Sequence, residues 1–168
     1  MSDSGDKPFC KARNSALRIL AHREHSVDEL SQKLLRRGHA REVVEHVIAE
    51  CLRLNYLDDH RMVQQILVRM KRRGFGIHRV RSELLKKGLA SAEFEEELRE
   101  SLSPSEENIV AWRVASKKWE SLKTDSDPKK KKMRLQRFLR FRGFSDSVVI
   151  EVMAAVAMGT DADSQANS

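Results

Sequence analysis

The sequence predicts an all-α protein, a tandem array of three three-helix repeats with about nine helices, elongated and curved. The first observation is composition: Leu, Arg, Glu, Lys and Ala dominate the 168 residues, with only 7 Gly and 3 Pro. The second is that aromatic and β-branched residues never alternate long enough to indicate a sheet. The third is internal repetition, because Gly38, Gly88 and Gly143 each close an apolar, basic segment, at spacings of 50 and 55 residues.

The apolar residues keep a common register around these glycines. The positions eight and four residues before each glycine, and six and ten residues after it, are apolar in all three repeats. Within each helix these positions are four residues apart, a spacing that keeps one helix face pointed inward. Each glycine therefore separates two helices, and a further helix precedes each pair at about 14–24, 59–73 and 105–122.

Capping signals define the helix ends. Ser26 with Glu29 forms a capping box for the second helix, Asp58 or Asp59 can cap the fourth, and Ser105 the seventh. The repeat glycines follow basic final turns, as expected at helix C-caps with positive φ. We therefore expect a disordered N-terminal arm (1–13), repeats at 14–57, 58–104 and 105–158, and a disordered tail (159–168).

Composition also restricts the function. No apolar run approaches the roughly 18 residues of a membrane-spanning helix, and the N-terminus lacks the apolar core of a secretory signal. Cys10 and Cys51 are too few and too far apart for a disulfide scaffold or a four-ligand zinc site. We expect a cytoplasmic monomer without a membrane partner, a cofactor or a metal.

The net charge of +7 is unevenly distributed. Residues 69–87 carry eight Lys or Arg against one Glu, and residues 117–142 carry eleven against three acids. Between these blocks, residues 93–107 carry seven Glu against one Arg. Two basic blocks at matching repeat positions favour a polyanionic partner, nucleic acid or an acidic protein surface, over solvated helix faces with i,i+4 pairing.

Two features with catalytic or metal-binding potential have simpler explanations. Asp58 and Asp59 could form an acid/base pair, but helix capping accounts for adjacent acids after a turn. His22 and His25 have i,i+3 spacing, yet no Cys or carboxylate set nearby would complete a metal site. No recognised catalytic motif occurs, so we do not expect an enzyme.

Three further features have both a structural and a binding interpretation. Gly74-Phe75-Gly76 lacks the preceding strand and the following GK[ST] of a phosphate loop, which favours a turn between helices. Trp112 and Trp119 could stack bases, but their shared helix face predicts the core of the third repeat. The segment TDSDPKKKK, with its run 129–132, has no counterpart in the other repeats and predicts a flexible basic loop.

Specific segments resemble the RecX family of bacterial RecA recombinase modulators. They follow the family's order and spacing over about 14–157: ALRIL (16–20), HSVDEL (25–30), YLDDHR (56–61), RRGFG (72–76) with Arg69 before it, IHRVRSELLKKGL (77–89) and RFLRFRGF (137–144). The stretch around RRGFG is the most diagnostic. Met62 departs from the pattern, since the family usually has an aromatic residue there, but Met fills core space well.

The resemblance implies both fold and function. Family members consist of tandem three-helix units and bind in the groove of the RecA–DNA filament. They limit filament extension and depress ATPase and strand exchange, which places them in DNA recombination, DNA repair and the SOS response. They have no catalytic activity of their own, and weak, nonspecific binding to single- or double-stranded DNA is compatible with this role.

The basic residues at matching repeat positions are the predicted contacts with the recombinase filament or its DNA. They are Arg36 and Arg37 in the first repeat; Arg69, Lys71, Arg72, Arg73, Arg79, Lys86 and Lys87 in the second; and Lys129, Lys130, Lys131, Lys132, Arg137, Arg140 and Arg142 in the third. Two alternatives stay open. One is a stand-alone, nonspecific DNA-binding helical module, and the other is a helical scaffold for an unrelated acidic protein.

Overall fold

The computed structural model describes residues 3–122 and 127–165, which form nine α-helices and no strand. The helices are α1 (Asp3–His22), α2 (Val27–Arg36), α3 (Arg41–Arg53), α4 (Asp59–Arg72), α5 (Ile77–Lys86), α6 (Ala92–Ser101), α7 (Pro104–Ser121), α8 (Pro128–Phe141) and α9 (Asp146–Gln165). The predicted all-α class is confirmed. Within these residues, no helix is long and apolar enough to cross a membrane.

The prediction of a disordered arm over 1–13 is wrong for the part that the structure describes. Helix α1 already begins at Asp3. Phe9 packs against the core of buried residues, and Ala12 and Ala16 are fully buried. With Ile19, these residues are spaced three or four apart, so they share the inward face of one helix. Residues 3–13 of the predicted arm are therefore the first half of α1, and residues 1 and 2 lie outside the described part of the chain.

Two other segments expected to lack regular structure are helical. The predicted tail is corrected because α9 continues to Gln165, and only 166–168 lie outside the described residues. The lysine run is also corrected, because it forms the first turn of α8 rather than a loop. Asp127 caps that helix by accepting hydrogen bonds from the Lys129 and Lys130 amides, and Pro128 occupies the first helical position.

The chain divides into two compact units. The first comprises the residues through Gln65 together with Leu84–Phe94, and the second comprises Ile66–Glu83 together with the residues from Glu95 onward. Helices α4, α5 and α6 each contribute residues to both units. The repeat boundaries proposed from the sequence stay a prediction, although α4 and α7 begin within one residue of them.

The core of the first unit lies among α1, α2 and α3, which pack on one another. Leu30 and Leu34 of α2 are fully buried, as the glycine register predicts. Helix α3 contributes Val44, Val47 and other apolar residues to the same core. Leu52 and Leu102 both lie 14 residues after a repeat glycine, but Leu52 is 44% exposed whereas Leu102 is buried.

The core of the second unit lies among α7, α8 and α9. Leu135 and Leu139 of α8 are fully buried, again at the predicted offsets from a glycine. Helix α7 presents Ala111 and Ala115 to this core, whereas Trp112 and Trp119 are only half-buried. The prediction that the two tryptophans form the core is therefore wrong, because small residues allow α7 to approach its neighbours closely.

The repeat glycines have the predicted backbone conformation. Gly38, Gly88 and Gly143 have φ of 82°, 72° and 79°, and Gly74 after α4 has φ of 76°. Positive φ at a residue after the helix end is the conformation for which Gly is preferred. Helix α7 is capped by Ser103 rather than Ser105, because Pro104 occupies the first helical position.

A polar cluster fixes the start of α2 in the first unit. The Ser26 hydroxyl accepts from the Glu29 amide and donates to the Lys87 carbonyl, and the capping box is complete. Asp58 caps α4 by accepting from the Arg61 amide, as predicted. Asp59 accepts from the Val27 amide at 3.0 Å, so it holds the starts of α2 and α4 together.

Replacing Glu29 with Gln is expected to destabilise the first unit in a pH-dependent way. Burial alone would raise the pKa of Glu29, but hydrogen bonds from Arg23 and the Ser26 amide and the charge of Lys87 outweigh it and lower the pKa to about 2. The stabilisation is therefore complete above the ordinary pKa of 4.5 and is lost as pH falls toward 2. We expect E29Q to cost about 2 kcal/mol at pH 7 and less at pH 3, measured by urea unfolding. E45Q, at an exposed position of α3, is the control, and an equal loss in both variants would contradict the prediction.

Replacing Gly76 with Ala is expected to destabilise the second unit more than Gly38→Ala destabilises the first. A Cβ on Gly76 would overlap the backbone of Phe144 and the Gly143 carbonyl, which cannot move independently of the chain. A Cβ on Gly38 meets no atom within 4 Å, so only its positive φ is penalised. We expect losses of about 3 kcal/mol and about 1 kcal/mol in urea unfolding, and the reverse order would refute this account.

Candidate functional site

The diagnostic Gly74-Phe75-Gly76 segment is a turn between α4 and α5, as predicted. It lies against the end of α8: the Gly76 amide donates to the Arg142 carbonyl at 3.0 Å, and the His78 amide to the Gly143 carbonyl at 2.9 Å. A Cβ on Gly74 would overlap the side chain of Val114. Both glycines are therefore required by close packing within the second unit.

The buried carboxylate of Glu107 stabilises the packing of this turn against the end of α8. Glu107 is 2% exposed. It accepts hydrogen bonds from the Ile77 amide at 2.9 Å, the Ser145 amide at 3.0 Å and the Ser145 hydroxyl at 2.6 Å. Ile77 begins α5, and Ser145 directly precedes α9. One acid of α7 thus satisfies the starts of two other helices, where a negative charge is also favoured by the helix dipoles.

Arg142 connects the turn to α8. Its Nη1 donates to the Arg73 carbonyl at 2.5 Å and to the Gly74 carbonyl at 3.1 Å. Its guanidinium also lies 5.2 Å from the Phe75 ring centroid and 4.9 Å from that of Phe138. Burial lowers the pKa of Arg142, and the charge of Arg73 lowers it further. This predicted contact residue is therefore mainly an organiser of the turn.

Two more predicted arginines surround the same ring. The guanidinium carbons of Arg73 and Arg79 lie 5.4 and 6.0 Å from the centroid of Phe75. Both side chains are exposed. Together with Arg142, they place three guanidinium groups within cation–π distance of one aromatic side chain.

The cluster continues into a cavity of about 490 Å³ between α7 and α8. Its lining residues are Lys118, Leu122, Arg134, Arg137, Phe138 and Phe141. Lys118 lies 5.7 Å from the Phe138 ring, and Phe141 is 78% exposed. We call the Phe75 cluster and this cavity together the cationic–aromatic surface of the second unit. Positive charge beside aromatic rings that are half-buried at Phe75 and Phe138 and exposed at Phe141 suits binding of phosphates, carboxylates and unpaired bases.

Several predicted contact residues are bound within the protein instead. Lys71 forms an ion pair with Glu106 at 2.6 Å and donates to the Ser101 carbonyl. Lys87 lies 3.5 Å from Glu29 in the first unit. The remaining examples are exposed or half-exposed pairs: Arg140 with Asp146, Lys130 with Asp127, and Lys131 over the Trp119 ring at 3.9 Å.

The other predicted contact residues extend from helix surfaces. Three of them are exposed in the first unit: Arg36, Arg37 and Lys86. In the second unit the exposed ones are Arg69, Arg72, Lys129 and Arg137, and Lys132 is half-buried. The structure therefore does not bring all the predicted residues together. It places four in the first unit and twelve in the second, and only Arg73, Arg79, Arg137 and Arg142 belong to the cationic–aromatic surface.

Sequence reasoning missed the residues that organise this surface. Phe75 was assigned only to a turn, although an aromatic residue among arginines is a recognisable binding signal. The alternation of Phe138 and Phe141 with arginines carries the same signal. Glu107 and Arg113 have no such signature. Arg113 donates to the Lys71 carbonyl at 2.7 Å, 42 residues away in sequence.

The described residues include no group of three or more His, Cys, Asp or Glu side chains positioned to hold a metal ion. His22 and His25 lie at the end of α1 and in the following turn, as the helix-end interpretation predicts. Cys10 is exposed and Cys51 is buried, and neither is in a disulfide.

The fold and the surface define a class of protein: tandem three-helix units with a cationic surface suited to a polyanionic partner. Two family models match parts of the chain, the first three-helix domain of RecX over 12–51 and the third over 106–153. The chain belongs to the RecX family of regulatory proteins.

Individual relatives agree with this assignment. The "Regulatory protein RecX" of Pelodictyon phaeoclathratiforme is 37% identical over 134 residues, which cover 79% of this chain and 81% of the relative. That of Vibrio parahaemolyticus is 32% identical, covering 82% and 86%. The crystal structure of RecX from Lactobacillus salivarius has a TM-score of 0.77 at 17% identity, covering 91% of this chain and 99% of that one, which shows the shared fold.

Replacing Glu107 with Gln is expected to destabilise the second unit far more than the neighbouring Glu106→Gln. A Gln side chain can still accept from the Ile77 and Ser145 amides, but its N–H₂ group replaces the oxygen that accepts from the Ser145 hydroxyl, and the negative charge at the starts of α5 and α9 is lost. We expect E107Q to cost about 2–4 kcal/mol and E106Q, which loses a part-exposed ion pair, less than about 1 kcal/mol. Urea unfolding measures both, and equal stabilities would show that Glu107 does not organise the unit.

Proposed function

We propose that this protein binds in the groove of the RecA–DNA filament and inhibits filament extension, ATPase activity and strand exchange. Through these effects it would modulate recombination, DNA repair and the SOS response. Membership of a family of regulatory proteins supports a regulatory role. The observation that carries the specific proposal is the cluster of Arg73, Arg79 and Arg142 around Phe75.

Without a binding partner, the cluster of arginines around Phe75 is electrostatically unfavourable. Among the residues that the structure describes, none of these three arginines has a carboxylate partner within ion-pair distance. Like charges held close together repel one another, and the Phe75 ring offsets only part of that repulsion. A polyanionic partner removes the repulsion and gains charge-assisted hydrogen bonds, so the exposed Arg73 and Arg79 are suited to binding, while Arg142 also holds the turn in place.

The start of α8 adds positive charge to the same unit. Lys129 and Lys130 lie in its first turn, where the helix dipole already favours anions. Lysines at this position destabilise an isolated helix. Lys130 is paired with Asp127, whereas Lys129 has no carboxylate partner within the described residues, so the placement of Lys129 supports contact with phosphates or acidic side chains, to which the helix start also contributes.

A filament offers the same groove on each recombinase subunit, which explains how moderate contacts could produce strong inhibition. A chain whose two compact units both carry exposed cations can contact more than one subunit. Linked contacts gain from a high effective concentration, so binding at a growing end becomes tight although each contact is weak. We therefore expect inhibition at less than one protein per recombinase subunit.

Reversing the charge of Arg72 and Arg73 is expected to abolish this inhibition. The measurement is ATP hydrolysis by the cognate recombinase on single-stranded DNA as the protein is titrated. We expect the R72E/R73E variant to require at least about tenfold more protein for half-maximal inhibition, because attractive contacts become repulsive. R41E/R53E, with the same change in net charge at exposed positions of α3, is the control and should inhibit like the wild type. Circular dichroism should show helical variants in both cases.

Two outcomes would contradict the proposal. If R72E/R73E inhibits like the wild type, this segment is not the contact. If the wild type inhibits only near saturation of the DNA, in parallel with its own DNA-binding anisotropy, then it competes for DNA as a stand-alone binding module.

A further inference from the structure

The first unit contains a basic cleft, and Arg37 is its one lining residue that belongs to the predicted filament contacts. Its volume is about 580 Å³. Its lining residues are Arg18, Ile19, His22, Arg23, His25, Lys33 and Arg37. It is formed by the end of α1, the turn that follows and the outer part of α2. Four of the seven lining residues are cations at neutral pH, and none is acidic.

One cation of the cleft, Lys33, contacts a histidine side chain instead of a carboxylate. His25 is 3% exposed. Its Nδ1 lies 2.8 Å from the Arg23 carbonyl oxygen, which can only accept, so Nδ1 carries the proton. Its Nε2 lies 2.8 Å from Lys33 Nζ and therefore accepts from that ammonium. With Nδ1 donating and Nε2 accepting, the imidazole is neutral. Burial lowers the pKa of His25 and the charges of Arg23 and Lys33 lower it further, against the opposing effect of the hydrogen bond to the Arg23 carbonyl, which agrees with the neutral form.

A neutral imidazole orients Lys33 without cancelling its charge. A carboxylate in the same place would form an ion pair and leave the cleft less positive. Two N–H groups of the Lys33 ammonium stay available to another acceptor. The lysine is half-buried, so this charge is held at some cost, and the arrangement is that of a preorganised anion site.

The remaining charges of the cleft point to the same conclusion. Arg23 is neutralised by two hydrogen bonds to Glu29, at 3.0 and 3.2 Å. Arg18 and Arg37 are exposed and have no ion pair to a carboxylate within the described parts of the chain. The cleft therefore carries a net charge of about +3 from Arg18, Lys33 and Arg37.

We propose that this cleft of the first unit is a phosphate-binding site that accepts closely spaced phosphate groups. Guanidinium groups match phosphate oxygens in pairs, and the fixed ammonium adds a point charge. An acidic peptide is a poorer match because protein interfaces depend on buried apolar anchors, and Ile19 is the single apolar side chain of the lining. The phosphates could belong to a free polyphosphate or to a nucleic-acid strand.

The proposal does not depend on the recombinase. Of the two contacts predicted for the first repeat, Arg37 lines the cleft and Arg36 does not. Arg36 instead donates to the Gln32 carbonyl at 3.2 Å along its own helix. These neighbours have the same charge and similar exposure, which makes Arg36 a matched control.

The first experiment measures binding of inorganic tripolyphosphate by calorimetry and of a single-stranded oligonucleotide by anisotropy, using the full chain alone. We expect K33Q and R37Q each to weaken tripolyphosphate binding about tenfold, whereas R36Q binds like the wild type. If the natural source is a nucleic acid, K33Q and R37Q also lower the slope of log affinity against log salt by about 0.7 each. An unchanged slope with weakened tripolyphosphate binding assigns the site to free polyphosphates, and both results support a phosphate site.

Three results would overturn the proposal. The first is wild-type affinity of K33Q and R37Q for both probes. The second is a loss in R36Q equal to that in R37Q, which would reflect net charge alone. The third is binding of hexaglutamate, but not of tripolyphosphate, with dependence on Lys33, which would make the cleft a site for an acidic peptide.

A second measurement needs no variant. Acetylation of the wild-type lysines by an activated ester, followed by mass spectrometry, reports which amines a ligand shields. Tripolyphosphate should slow acetylation of Lys33 at least about fivefold, because an ammonium in contact with phosphate is less often deprotonated and less accessible. Exposed Lys86 of the same unit is the reference. Equal protection of Lys33 and Lys86 would refute the site.

Discussion

The second compact unit depends on one buried charge. The Glu107 carboxylate satisfies backbone donors at the starts of α5 and α9, and these lie 30 and 38 residues away in sequence. An unpaired carboxylate at this depth would be strongly unfavourable, so α5 and α9 must both dock for the unit to fold. The docking brings the end of α8 against the Gly74–Gly76 turn, and the arginines around Phe75 follow from that contact.

The positive charges of the chain serve two purposes that composition does not distinguish. Lys71 and Arg142 bind backbone carbonyls and neighbouring groups at helix ends, and Arg113 contacts the carbonyls of Lys71 and Arg72. These side chains complete hydrogen bonds that the last turn of a helix leaves open. Other cations, such as Arg72 and Arg79, extend from the surface. A basic block in the sequence is therefore partly structural and partly available for binding.

The sequence was sufficient for the parts of the fold that depend on local chemistry. The glycine register located the buried Leu34 and Leu139, and the Ser26 capping box is present as predicted. The predictions from sequence were wrong where contacts between residues distant in sequence decide the structure. Glu107 looks like an exposed acid because its donors are far away in sequence, and Phe9 looks like part of a polar arm because residues 2–8 before it contain no large apolar side chain. Asp127 is a local cap, but the lysines that follow it are unfavourable at a helix start, so the sequence predicts a loop where α8 begins.

The two candidate sites follow one electrostatic rule. A cation paired with a carboxylate, such as Arg81 with Glu95 at 2.6 Å, contributes little to the field of its surroundings. A cation held by a neutral group keeps its full charge, and the protein uses an aromatic ring for this purpose at Phe75 and an imidazole at His25. In both places the neutral partner fixes the position of the charge before any ligand arrives, which reduces the entropy lost on binding. Charge count alone would rank carboxylate-paired cations such as Lys71 and Arg81 equally with these, whereas the identity of the partner separates cations that are neutralised within the fold from those that remain available to an anion.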